Sequence, residues 1–202
     1  MIQLNEKNSI RRVFFHELGH YVAAKLSQRH FSGIGSKHIK IYRCPEKYNE
    51  FCGEMEPIRP EEYNENDLYL ERLAENLIGL IYGCIFQSYF SSSATLDFCF
   101  EHFGTKDMWG YRGGIARHSL GSLKAFKLEG LYCEHYTKIF EDKSLEQLKG
   151  FDYMSLLIPS KGRVDEFFID LITLDSLLEE FLDSFKDTYC ELVEDFNKII
   201  IE

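Results

Sequence analysis

No stretch of this 202-residue chain reaches the 18 or more consecutive apolar residues that a membrane span requires. The nearest candidate, Leu77 to Phe90, is too short and is broken by Gln87 and Ser88. The opening residues Met1 to Ser9 are polar and lack the apolar core of a signal peptide. A soluble, cytoplasmic protein is therefore expected. An excess of positive charge is also lacking: the net charge of -10 argues against nucleic acid or an anionic membrane as the main partner. None of the six cysteines forms a Cys-x-x-Cys pair, so neither a structural zinc knuckle nor a thioredoxin-like site is expected. Their irregular spacing, without an export signal, points to reduced thiols. Repeats and low-complexity tracts are absent as well. What the chain does hold is 45% hydrophobic and 15% aromatic residues, enough for a packed core. Its length suits one domain, or one domain with an appended helical arm.

Ile10, Val13, Phe14, Leu18, Tyr21 and Val22 recur at helical spacing behind the candidate caps Asn8 and Ser9, so a helix is expected from about Ser9 to Ser27. His38 to Tyr42 alternates polar and apolar residues, and Phe51 to Ile58 is a second extended piece after a loop around Pro45. Together they read as a small sheet or hairpin, closed by Pro57 and Pro60. From Asp67 to about Tyr89 a wide apolar stripe predicts a helix buried on much of its surface, with Gly79 and Gly83 allowing a neighbour close. Helical pattern resumes from Thr105, a candidate cap, and again over Ile115 to Leu128 and Leu131 to Leu148. Gly150 to Arg163 reads as a loop. Val164 to Glu202 is acidic and helical, and Ser176 to Glu179 resembles a capping box that would divide it into two helices. Leu177, Leu178, Phe181, Phe185, Leu192 and Phe196 form its packing stripe. The fold class is mainly α with a small β-sheet or hairpin, an α+β chain.

Within the first helix lies His16-Glu17-Leu18-Gly19-His20. Residues four apart share a helix face, so both imidazoles can reach one metal ion. Glu17 then sits beside that ion, placed to take a proton from a metal-activated water. This is the zinc metallopeptidase signature. Such a site needs a third protein ligand. Glu71 and Glu75 lie on the second long helix, His30 follows ten residues after His20, and Asp97, Glu101, His102 and Asp107 cluster further on.

Arg12 to Val22, which contains the motif, resembles the zinc helix of the FtsH-type ATP-dependent proteases. The likeness extends through His38 to Arg43, Phe51 to Met55 and Leu70 to Gly79. It ends with Gly104-Thr105-Lys106-Asp107 and Ile115-Ala116-Arg117, similar to the family's segment that supplies an aspartate ligand. It covers roughly residues 10 to 120. The resemblance implies a zincin-like helical proteolytic domain over residues 1–150, with residues 151–202 as a C-terminal helical extension packed on it. It implies Zn2+ as cofactor, His16, His20 and Asp107 as metal ligands, and Glu17 as general base. Asp97, Glu71 and Glu75 stand as alternatives to Asp107. No Gly-x-x-x-x-Gly-Lys-Ser/Thr phosphate loop occurs, so the family's ATPase module is missing, and so is its membrane anchor.

The expected function is hydrolysis of peptide bonds in a peptide or unfolded protein substrate, and a homo-oligomer remains open. Two other readings stand beside it: a catalytically inactive zinc-fold interaction protein, and a gluzincin-type repressor-cleaving protease using Glu71 or Glu75. Phe51 to Ile58, as an exposed edge, could pair with an extended substrate. Tyr111, Arg112 and His118 are candidates to steady an oxyanion.

Overall fold

The helix α2, Leu73–Phe90, is apolar nearly all the way round, and that property organises the molecule. Leu77, Ile78, Ile81, Tyr82, Ile85 and Phe86 are each 0–1% exposed, so neighbours must cover the helix on several sides. In this computed structural model, which describes the chain apart from residues 1–3, 32, 34, 46–49, 59–71, 92–93 and 164, five helices do so. They are α1 (Leu4–His30), α3 (Leu96–His102), α4 (Thr105–Arg117), α5 (Gly121–Glu141) and α6 (Leu171–Ile201). Pro60 and the start expected for the second helix at Asp67 lie outside the described residues.

The first helix begins earlier than its candidate caps suggest. Ser9 sits inside α1 and is buried, and its hydroxyl accepts the Phe51 N–H at 2.9 Å. A side chain used by a distant strand cannot cap its own helix, so the helix runs through it. The C-terminal segment also differs from expectation, being one helix rather than two. Asp170 caps α6 by accepting from the Thr173 N–H (3.2 Å) and hydroxyl (2.7 Å). Ser176 instead donates to the Ile172 carbonyl within the helix. Leu178, Phe181, Phe185, Leu192 and Phe196 are buried as the stripe predicts, at about 1.5–3 kcal/mol of transfer free energy each. Leu177 departs from the stripe and is half exposed. Tyr21 and Lys25 of α1 both bond Asp175 of α6, at 2.6 and 2.9 Å.

The small sheet is antiparallel and four-stranded, in the order β2-β1-β4-β3. Strand β1 (Ser36–Arg43) and β2 (Phe51–Pro57) form the expected hairpin, with Ile41 opposite Gly53. Two further strands are β3 (Leu157–Pro159) and β4 (Glu166–Ile169). They fall in segments expected to be loop and helix. At three and four residues they are too short to display the two-residue period that marks a strand in sequence. The helical pattern expected across Ile115 to Leu128 is interrupted as well, because Ser119 and Gly121 take positive φ values of 53° and 77° between α4 and α5.

The architecture is thus mainly helical with a small antiparallel sheet. No described helix is long and apolar enough to cross a membrane. Helix α1 lies between α2 and the outer strand β2, and the N-terminus of α4 closes one end of the groove between them.

Candidate metal centre

Helical spacing sets His16 and His20 one turn apart on α1, with their rings 4.8 Å apart and nearly perpendicular. Both face a cleft of about 1200 Å³. Gly83 of α2 lies directly beneath them. A Cβ there would stand 2.7 Å from His20 Cε1 and 3.0 Å from His16 Cε1, so no larger residue fits without displacing the rings.

The outer nitrogens of the two rings favour one tautomer. His16 Nδ1 donates to Gln87 Oε1 at 2.9 Å, and His20 Nδ1 donates to the Gly79 carbonyl at 2.7 Å. Both partners are pure acceptors, so each neutral ring carries its proton outward and presents a bare Nε2 lone pair inward. Asp107, in the first turn of α4, completes the group. Its Oδ2 lies 3.0 Å from His16 Nε2 and 3.6 Å from His20 Nε2, and the two nitrogens are 3.1 Å apart. Three acceptors facing one another repel unless a cation, a proton or a metal ion, lies among them. Tetrahedral ligands at about 2.0–2.1 Å from a zinc ion stand about 3.3 Å from each other, which matches these separations. Donor type, tautomer and spacing therefore fit a divalent metal held by His16, His20 and Asp107.

The same geometry explains the acidities. Where a proton rather than a metal ion lies between the rings and Asp107, burial alone would push the His20 imidazole down, but hydrogen bonding and attraction to Asp107 outweigh it and hold it up to about 9. For Asp107 burial would raise the carboxyl, and the two histidines outweigh that, holding it well below the usual carboxylate range. Glu17 is 5% exposed, and burial raises its carboxyl despite the nearby imidazoles. Its carboxylate lies against Gly53 of β2, where any Cβ would overlap it.

Of the other sequence candidates among the described residues, none joins this group. Asp97 and His30 are exposed, and His102, which lines the cleft, is also exposed, with its ring tilted against Phe98 at 4.3 Å. Glu101 is exposed too. Glu71 lies outside the described residues. Glu75 lines the same cleft but accepts a hydrogen bond from Ser27 instead of approaching the histidines. Tyr111 is buried against Tyr132, Arg112 is exposed, and neither they nor His118 line the cleft. Lys106 and Arg117 of α4 do line it.

Two features escape the sequence. Gln87, 1% exposed, registers there only as an interruption of an apolar run. A glutamine buried on an otherwise apolar helix needs a partner, and that requirement is the available signal. Gly79 matters through its carbonyl rather than through close packing, since a Cβ there would meet open space. The expectation of reduced thiols is corrected for one pair: Cys44 and Cys52 form a disulfide in the cleft wall. They bracket the β1–β2 turn, and pairing of Tyr42 with Cys52 brings the two ends together, a proximity that irregular sequence spacing does not reveal. Cys84, Cys99, Cys133 and Cys190 are free thiols. Comparison with protein-family models, with curated proteins and with solved structures gave no match.

Proposed function

We propose that the protein is a zinc-dependent peptidase of FtsH-like type. The observation that carries this reading is the convergence of His16 Nε2, His20 Nε2 and Asp107 Oδ2 at tetrahedral-ligand spacing, with Glu17 beside them on the same helix. Zinc, when bound there, supplies Lewis-acid polarisation of the scissile carbonyl and of the attacking water. Glu17 accepts the proton of that water and returns it to the leaving amine. Its burial suits the task, because a carboxylate whose pKa is raised by burial is a stronger base. Gln87 and the Gly79 carbonyl keep both imidazoles in the ligating tautomer.

Strand β2 borders the cleft and, among the described residues, has a sheet neighbour on one side only, so an extended substrate can align along it. Gly53 brings that strand against the base without a side chain between them. With no phosphate loop in the sequence, the substrates suited to this chain are peptides, loose segments and exposed tails. The gluzincin reading loses support because Glu75 is engaged with Ser27. An inactive zinc-fold protein has no use for a buried, raised carboxylate at Glu17. Cleavage of a mixed peptide library, followed by mass spectrometry, tests the proposal. Glu17→Gln should lower the rate about 10²- to 10⁴-fold while zinc stays bound. Unchanged cleavage in that variant would contradict the mechanism.

A further inference from the structure

Away from the metal centre, the cleft continues along α1 past Ala23 and Ala24 to Ser27, and its far wall is formed there by Glu75 and Asn76 of α2. Glu75 is 8% exposed. Ser27 donates one hydrogen bond to it, and among the described residues no cation pairs with it. Arg72 lines the same end of the cleft and draws the carboxyl slightly down, yet burial prevails and the carboxyl is raised. A carboxylate removed from water without a counter-charge is costly, and such a group in a cleft wall is suited to receive a charge from a ligand. Small neighbours leave the approach open, since Ala23, Ala24 and Gly33 are the residues beside it.

Resting on the peptidase reading, we infer that Glu75 and Ser27 form a subsite that takes a basic side chain of the substrate. A lysine ammonium or arginine guanidinium would supply the missing positive charge and satisfy the carboxylate oxygens that Ser27 leaves over. Position along the substrate follows from the helix. Seven residues separate His20 from Ser27, which is about 10 Å at the rise of an α-helix. An extended peptide covers that length in about three residues. Met55 and Pro57 of β2 line the cleft beyond Gly53, so the strand that borders the metal centre leads toward the same end. The preferred substrate therefore carries a basic residue about three positions from the bond that is cut.

The test uses the full zinc-loaded chain in a Glu17→Gln background, so that peptides bind without being consumed. Peptides identical except for lysine, norleucine or glutamate at one position, two to four residues to either side of the scissile bond, are compared by fluorescence anisotropy. Lysine should bind about tenfold tighter than norleucine at one of these positions, and glutamate should bind weakest. Adding Glu75→Gln, which keeps the shape and the Ser27 hydrogen bond, should erase the lysine advantage and leave norleucine binding unchanged. A merely structural Glu75 would alter the melting temperature without moving the lysine-to-norleucine ratio, and that result overturns the inference. So does a lysine preference that survives Glu75→Gln, or the absence of binding by every peptide. Failure of the peptidase reading is seen separately, as a wild-type protein that cuts nothing in the mixed library.

Discussion

Asp107 and Glu75 are both carboxylates set into the wall of one cleft, yet their surroundings move them in opposite directions. Asp107 faces two imidazole nitrogens and is held low in pKa, whereas Glu75 accepts from one hydroxyl, feels Arg72 only at a distance and is held high by burial. Burial opposes ionisation at both. The deciding difference is the partner. At Asp107 the protein has brought two imidazole nitrogens to the carboxylate, so that a proton or a metal ion completes the group. At Glu75, among the described residues, no cation forms an ion pair with the carboxylate. The first arrangement suits a metal ion, and the second suits a cation carried by a ligand.

The sharpest way to break this contrast is through the groups that orient the imidazoles. Gln87→Leu removes the acceptor for His16 Nδ1 and frees the ring to present a protonated Nε2. Zinc affinity should fall about 10- to 100-fold, measured by competition with a chromophoric chelator. Gln87→Glu retains the acceptor and should recover most of the affinity. Neither change should touch the Glu75 end, so lysine preference should persist when zinc is saturating. Equal zinc affinity in Gln87→Leu would mean that the tautomer is fixed by something else.

A smaller effect sharpens the other side. Burial raises the folded-state pKa of Glu75 above its ordinary value of 4.5, so its ionisation opposes folding. The favourable contribution of the protonated group is complete below about 4.5, the unfolded value, and is lost as pH rises through the folded value. Glu75→Gln does not titrate. Its stability relative to the wild type should therefore increase as pH rises above about 4.5, as urea denaturation at a series of pH values would reveal. A constant difference across that range would mean that Glu75 is not perturbed by burial.

How much of this is legible in the sequence depends on whether the signal is local. His16, Glu17 and His20 lie within five residues on one helix, and their shared face follows from helical geometry alone. Asp107 is 91 residues from His16 and can be reached only through resemblance, since Asp97 and Glu75 carry the same chemistry. The hairpin and the buried second helix are readable from their periodicity. The third and fourth strands are not, because their register with β1 comes from tertiary packing rather than from pattern. Ser9 and Ser176 mislead for a common reason. A hydroxyl is an equally good cap, long-range acceptor or intrahelical donor, and only the folded neighbours decide which role it takes.

The central claim is that His16, His20 and Asp107, and not Glu75, hold a metal. Metal content by inductively coupled plasma mass spectrometry, after equilibration with zinc and gel filtration, tests it most directly. Wild type and Glu75→Ala should each carry about one zinc per chain, and Asp107→Ala should carry little or none. Loss of zinc in Glu75→Ala with retention in Asp107→Ala would contradict the account.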